Sequence, residues 1–170
     1  MDRQERDRMI ALYRDGYRAV VEALHNATEE ELDARGAPGR WSARDIVHHL
    51  ADSEMTAAVR VRMLLATDRP VIHGYDQDAF SRRLHYDRPH QSSLEAFRYA
   101  RECTAQILER LTEEEWLREG THTEAGSFGV EQWLRIYSEH AHRHARQIVE
   151  AREAAVKKRP GAIARAARER

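Results

Sequence analysis

The segment that decides the fold is residues 41–53, which read WSARDIVHHLADS. Ser42 and Asp45 have the spacing of a capping box, in which both side chains accept backbone N–H groups of a first helical turn. Apolar residues then recur on one helical face as far as about Ala66, and Pro70 follows. We therefore predict a long amphipathic helix that begins just after this Trp-Ser pair.

Three further segments show the same helical spacing of apolar residues, over about residues 3–25, 92–111 and 129–157. Two short segments, 28–32 and 112–116, each place a threonine before glutamates, which suits the first turn of a short helix. The predicted fold is therefore all-α: a four-helix bundle of long antiparallel helices with short accessory helices.

The connection between the second and third long helices covers residues 67–91, which is long for a compact domain. Such segments are usually functional or disordered, and we predict that this one forms part of a pocket wall. Residues 120–129 are bounded by glycines and predict a small hairpin, with no larger sheet. The two echoed Thr-Glu segments suggest two similar helical hairpins joined by the long connection.

Charge divides the chain unevenly. Residues 157–170 contain six Lys/Arg and one Glu, so they carry about +5, which leaves about −6 on the rest of the chain. We predict one domain over residues 1–157 and a flexible basic tail over residues 158–170. The acidic body argues against nucleic acid as the main partner, although a basic tail can contact nucleic acid or anionic lipid.

Other features of the sequence argue against several classes of protein. The N-terminal residues are charged and lack the apolar run of a signal peptide, and no stretch approaches 18 apolar residues, so we expect a cytoplasmic protein with no membrane span. The single cysteine, Cys103, rules out a disulfide framework, and we expect it to be a packing residue. No phosphate-binding glycine loop or nucleophile elbow is present.

The histidines are candidates for chemistry because of their phases on two helices, which turn by about 100° per residue. His49 lies at the inward edge of its apolar face, whereas His48 falls almost opposite and is predicted to face water. His140 and His144 lie one turn apart on the inward side of the last helix, a spacing typical of two-histidine metal chelates. His142 is predicted to face outward.

Two interpretations of the three inward imidazoles stay open from spacing alone: hydrogen-bonded core residues, or ligands of one metal ion. Three histidines without an inward carboxylate or thiolate would leave a fourth position for water, as in catalytic zinc sites. Imidazole suits several divalent metals, of which we expect zinc or nickel.

Other residues near the three histidines are considered for supporting roles at the site. Asp52 and Ser53 are candidates to orient an imidazole, whereas Glu139 points away from the site and is a poor candidate for a base. Trp41 is predicted to be an anchor residue rather than part of a binding cage.

Three motifs resemble, in order, those of the DinB-like superfamily, and most closely its YfiT branch: residues 41–53, YDQDAF at 75–80 and YSEHAHRHARQI at 137–148. The resemblance covers roughly residues 5–155. It implies an unusual four-helix bundle whose metal is held by His49, His140 and His144.

The resemblance also implies a function. It suggests a metal-dependent hydrolase, or a transferase that joins a small-molecule thiol such as bacillithiol to an electrophile, and it is compatible with a homodimer. The alternatives are a non-catalytic metal or small-molecule binding module of the stress response and, less supported by the charge distribution, a nucleic-acid-associated stress protein that uses the basic tail.

Overall fold

The computed structural model describes residues 1–158, so the predicted basic tail beyond Lys158 lies outside the described residues. Its helices are α1 (Arg3–Leu24), α2 (Glu29–Asp33), α3 (Ala43–Ala66), α4 (Gln77–Arg83), α5 (Gln91–Leu108), α6 (Glu113–Trp116) and α7 (Val130–Lys158), and its strands are β1 (Val71–Ile72), β2 (Glu119–His122) and β3 (Gly126–Gly129). Within residues 1–158, no helix has the length and apolar character needed to cross a lipid bilayer.

The four long helices form the predicted four-helix bundle, with α1, α7, α3 and α5 following one another around it. Helices α3 and α7 are antiparallel, since the indole of Trp133 near the start of α7 donates to the carbonyl of Ala57 in the middle of α3, while later residues of α7 lie beside the start of α3. Helices α1 and α7 are parallel, because Arg6 pairs with Glu131 at their beginnings.

The packing partners correct the expectation of two helical hairpins. Helices α1 and α3 lie diagonally across the bundle, and α1 packs mainly on α7 and α5. The bundle also combines antiparallel neighbours with parallel ones, since α3 and α5 run in the same direction. A parallel pair needs a connection that returns along the length of the bundle, which explains the long segment between α3 and α5.

Local signals fix where the helices begin. Ser42 accepts the backbone N–H of Asp45 while the Asp45 carboxylate accepts that of Ser42, which completes the predicted capping box. Thr28 and Thr112 form capping boxes of the same kind at α2 and α6. The two predicted short helices are therefore confirmed.

The connection between α3 and α5 contains more structure than the sequence indicates. Strands β2 and β3 form the predicted hairpin, but Val71 and Ile72 of β1 pair in parallel with β2 and extend it to three strands. The prediction of nothing larger than a hairpin was therefore wrong. Helix α4 follows β1 and is capped by Asp76, whose carboxylate accepts the backbone N–H of Ala79.

A buried ion pair lies at the centre of the bundle. Arg101 of α5 is paired with Glu54 of α3, and both residues are almost completely buried. The same guanidinium donates to the backbone carbonyls of Tyr13 in α1 and Tyr137 in α7. One side chain thus joins all four long helices.

On the opposite side of α5, Cys103 is exposed, which corrects its prediction as a packing residue.

Candidate metal centre

Three imidazoles converge between α3 and α7. His49 comes from α3, and His140 and His144 lie one turn apart on α7. One ring nitrogen of each residue lies within 4.8 Å of those of the other two. The ring centroids are 4.5 Å apart for His140 and His144, 4.7 Å for His49 and His144, and 5.4 Å for His49 and His140.

The spacing of these nitrogens fits a single metal ion. Zinc binds imidazole nitrogens at about 2.0–2.1 Å in tetrahedral geometry, which separates two ligand nitrogens by about 3.3–3.4 Å. The Nε2 atoms of His140 and His144 are 3.1 Å apart. Only a small adjustment of the rings is needed for both to share one ion.

Burial keeps the three rings neutral. Burial, with a smaller contribution from His144, lowers the pKa of His49 to about 3. Burial and the nearby Arg143 lower the pKa of His144 to about 4, although the side chain of Gln147 opposes this shift. Burial, followed by the other two histidines, holds the pKa of His140 well below its usual range. Each ring therefore has a free lone pair at pH 7, as a metal ligand requires.

Aromatic rings enclose the cluster. Trp41 precedes Ser42, the N-cap residue of α3. The centroid of its ring lies 4.6 Å from that of His49 and 6.4 Å from that of His144. On α7, the Tyr137 ring lies 5.8 Å from that of His140. Trp41 is therefore a wall of the site, a role that the sequence analysis missed. Its position directly before the capping box was the available signal, because the capping box sets the start of α3 at Ala43, six residues before His49.

An open cavity of about 330 Å³ adjoins the centre at His144. It is bounded by the loop before α3, by α4 and by α7, with Gly36, Gly39, Arg40, Trp41, Ile46, Asp78, His144, Gln147, Glu150 and Ala151 as its lining residues. The connection between α3 and α5 supplies Asp78, so it contributes to the pocket wall as predicted. The His144 side of the cluster can thus be reached from outside.

The outward orientation predicted for His48 was wrong. His48 is fully buried rather than facing water, and its ring packs 5.3 Å from that of Tyr86. Its Nε2 faces the carbonyl oxygen of Arg88 at 3.0 Å, so Nε2–H donates there, and Nδ1 accepts the hydroxyl proton of Ser93 at 2.8 Å. His48 therefore fastens the connection between α3 and α5 to both helices.

The remaining candidates are separate from the three rings. The carboxylate of Asp52 accepts the hydroxyl of Tyr86 at 2.6 Å and orients no imidazole of the cluster. Glu139 is exposed, as expected. His142 lies outside the cluster, with Nε2 3.0 Å from the carbonyl oxygen of Leu12.

The fold and the converging imidazoles define a class, that of helical bundles with a candidate metal centre between two helices. The family model of the DinB superfamily matches residues 12–148, and the chain belongs to this superfamily.

Individual relatives agree with this assignment. YfiT of Bacillus subtilis, provisionally named a metal-dependent hydrolase, is 27% identical over 152 residues, which cover 88% of this chain and 85% of YfiT. A protein of Oceanobacillus iheyensis with the same provisional name is 28% identical over 131 residues, covering 77% of this chain and 76% of its own length.

A solved structure agrees as well. The structure of B. subtilis YfiT, described as a probable metal-dependent hydrolase with an unusual four-helix bundle topology, superposes with a TM-score of 0.82 at 25% identity. The match covers 92% of this chain and 89% of the other.

Proposed function

We propose that this protein is a metal-dependent enzyme in which His49, His140 and His144 hold one divalent ion beside a substrate cavity. The observation that carries the proposal is the approach of three neutral imidazole nitrogens to within 4.8 Å, in a group that, among residues 1–158, includes no carboxylate or thiol. A divalent ion bound there lowers the pKa of a water or thiol that it binds, and so supplies a nucleophile near neutral pH.

The surroundings favour catalysis over a purely structural site. Structural zinc sites are closed by four protein ligands, whereas catalytic sites keep one position open. Here the three rings are the whole group found in the described part of the chain, and the cavity reaches His144. This arrangement favours an enzyme over the non-catalytic binding module.

Residues of the chain have defined tasks in this proposal. Trp41 covers one side of the His49 and His144 rings and limits the access of water there. The charged residues that line the cavity, and so can contact a substrate, are Arg40, Asp78 and Glu150. The substrate is a small electrophile, and the nucleophile is water or a low-molecular-weight thiol. The provisional names of the relatives support hydrolysis, and the resemblance of the three motifs supports thiol transfer.

The test compares metal-free protein with protein reloaded with zinc or nickel. Hydrolysis of a panel of small esters and amides is measured beside conjugation of thiols to small electrophiles. We expect activity only in the reloaded protein, its loss in His49→Ala and its retention in His142→Ala. Equal activity without metal would contradict the proposal, and full metal occupancy without activity in either panel would favour the binding module.

A further inference from the structure

Arg60 of α3 is a half-buried arginine without an anionic partner. Its Nη1 donates to the hydroxyl of Tyr137 at 3.3 Å and its Nη2 to the carbonyl of His73 at 2.5 Å. Its Nε is buried and has no acceptor among residues 1–158. No carboxylate within the described residues forms an ion pair with it.

Two phenols beside Arg60 also have hydroxyl protons without an acceptor among residues 1–158. The Tyr75 ring lies 5.6 Å from the Arg60 Cζ, and its buried hydroxyl has no partner of normal hydrogen-bond geometry there, the nearest polar side chain being that of Ser53, which is placed to donate to the phenol oxygen. Tyr137 accepts from Arg60, and within residues 1–158 no acceptor takes its own proton. A phenol has a pKa of about 10, so both hydroxyls are protonated donors at neutral pH. We call Arg60, Tyr75 and Tyr137 the Arg60 cluster.

The carboxylates that act electrostatically on the two phenols, Asp52 on Tyr75 and Glu54 on Tyr137, are bonded to other residues. Asp52 accepts the hydroxyl of Tyr86, and Glu54 is paired with Arg101. The Arg60 cluster therefore combines one positive charge with several buried donors and no anion. Leaving such donors without an acceptor costs about 1–3 kcal/mol per group, so the arrangement favours an acceptor from outside the chain.

The Arg60 cluster lies directly beside the candidate metal centre. Tyr137 is three residues before His140 on the same face of α7, and their ring centroids are 5.8 Å apart. Ser53, which approaches Tyr75, is one turn after His49 on α3. The Arg60 cluster and the three imidazoles are therefore neighbours along the facing sides of α3 and α7.

We propose that the Arg60 cluster binds a carboxylate group of the small molecule whose reactive end lies at the metal centre. A carboxylate is planar, carries a single negative charge and accepts several hydrogen bonds, which matches a guanidinium fork flanked by two hydroxyls. This inference rests on the proposed function, because it names the chemical class of the substrate or thiol used there.

The first experiment uses the metal-free full-length chain, so that propionate cannot bind to a metal ion. Binding of propionate and of propionamide, which have the same shape but differ in charge and in one hydrogen-bond acceptor, is followed by NMR chemical-shift titration. We expect propionate to bind about 10- to 100-fold more tightly than propionamide, the range for a hydrogen bond to a charged group. Arg60→Gln should remove this preference, whereas the control Arg62→Gln, on the same helix but bonded to Ala58 and Thr104, should retain it.

Tyr75→Phe separates binding from folding. Its hydroxyl donates to no acceptor among residues 1–158, so its removal should leave the melting temperature unchanged or raised while weakening propionate binding several-fold. The inference is overturned if wild-type protein binds propionate and propionamide equally, or if the preference survives in Arg60→Gln.

A second arm uses zinc-loaded protein with 3-mercaptopropionate and 3-mercaptopropionamide. We expect the acid to bind more tightly than the amide, with the difference lost in Arg60→Gln. If neither thiol binds, thiol transfer as part of the proposed function fails, while the propionate titration still decides whether the Arg60 cluster is a carboxylate site.

Discussion

At the scale of single residues, burial determines how protons and metal ions compete for the three imidazoles. The pKa of His49 is lowered to about 3 and that of His144 to about 4, whereas an unperturbed histidine has a pKa near 6.5. A lowered pKa means that the ring stays unprotonated, and available to a metal, well below pH 6.5.

The first prediction concerns the pH dependence of metal affinity. From the sequence alone, affinity is expected to fall below about pH 6.5. With the lowered pKa values, zinc affinity should stay nearly constant from pH 7 to about pH 5.5 and fall only as the pH approaches about 4. Competition titrations with a chelator of known pH dependence measure this. A steep fall that begins at pH 6.5 would contradict the burial of the rings.

The second prediction concerns His48. His48→Ala removes the hydrogen bonds to Ser93 and Arg88 but no ring of the cluster, so metal stoichiometry should stay the same while stability falls by about 1–3 kcal/mol. Elemental analysis and urea unfolding measure the two quantities. His142→Ala is the control, with metal unchanged and a smaller loss of stability. Loss of metal from His48→Ala would show that the cluster extends beyond the three rings.

The two adjacent histidines show what helical phase can and cannot predict. The inward orientation of His49 was predicted correctly because the three imidazoles meet at the edge of the apolar face of α3. The orientation of His48 was predicted wrongly because reasoning from helical phase assumes that the polar face of a helix meets water. Every residue of α3 from Ala43 to Glu54 is buried, since α5, α7 and the connection to α5 surround it. Polar residues that bond to those neighbours look like a solvated face in the sequence.

At the scale of elements, the long helices could be predicted because each carries its own signals of periodicity and capping. Strand β1 could not be predicted, because two residues carry no periodicity and their pairing partner, β2, lies about 50 residues away. Helix α4 was missed although Asp76 is a local capping signal. The Arg60 cluster could not be found from sequence either, because it joins α3, α7 and the connection between α3 and α5.

The third prediction concerns the ion pair that joins the four long helices. Arg101→Met leaves the Glu54 carboxylate buried without its counter-charge, which should reduce the free energy of unfolding by about 3–5 kcal/mol. Arg98→Met on the same helix, where Arg98 is partly exposed and bonded to Glu102, should change it by less than about 0.5 kcal/mol. Urea unfolding at pH 7 compares them. Similar losses in both variants would contradict a central role for Arg101.

At the scale of the whole molecule, the topology and the candidate site depend on each other. The parallel arrangement of α3 and α5 requires a connection along the bundle, and that connection supplies Asp78 to the cavity and Tyr75 to the Arg60 cluster. A metal ion bound at the candidate centre would join α3 to α7, which are separated by the middle of the chain.

The fourth prediction follows from this cross-link. A metal that binds only the folded chain stabilises it by about 2.7 kcal/mol when the free metal is at 100 times its dissociation constant. For a domain of this size, the melting temperature should rise by about 5–10 °C. Differential scanning calorimetry with and without zinc measures the shift. His140→Ala should show little of it, and an equal shift in this variant would mean that zinc binds elsewhere.

The most direct test of the central claim is a crystal structure of the zinc-loaded protein, with the metal located by its anomalous scattering. We predict one ion between α3 and α7, bound by one ring nitrogen each of His49, His140 and His144 at about 2.0–2.1 Å, with a further position open toward the cavity. An ion bound at other residues, with the three rings left free, would contradict the claim.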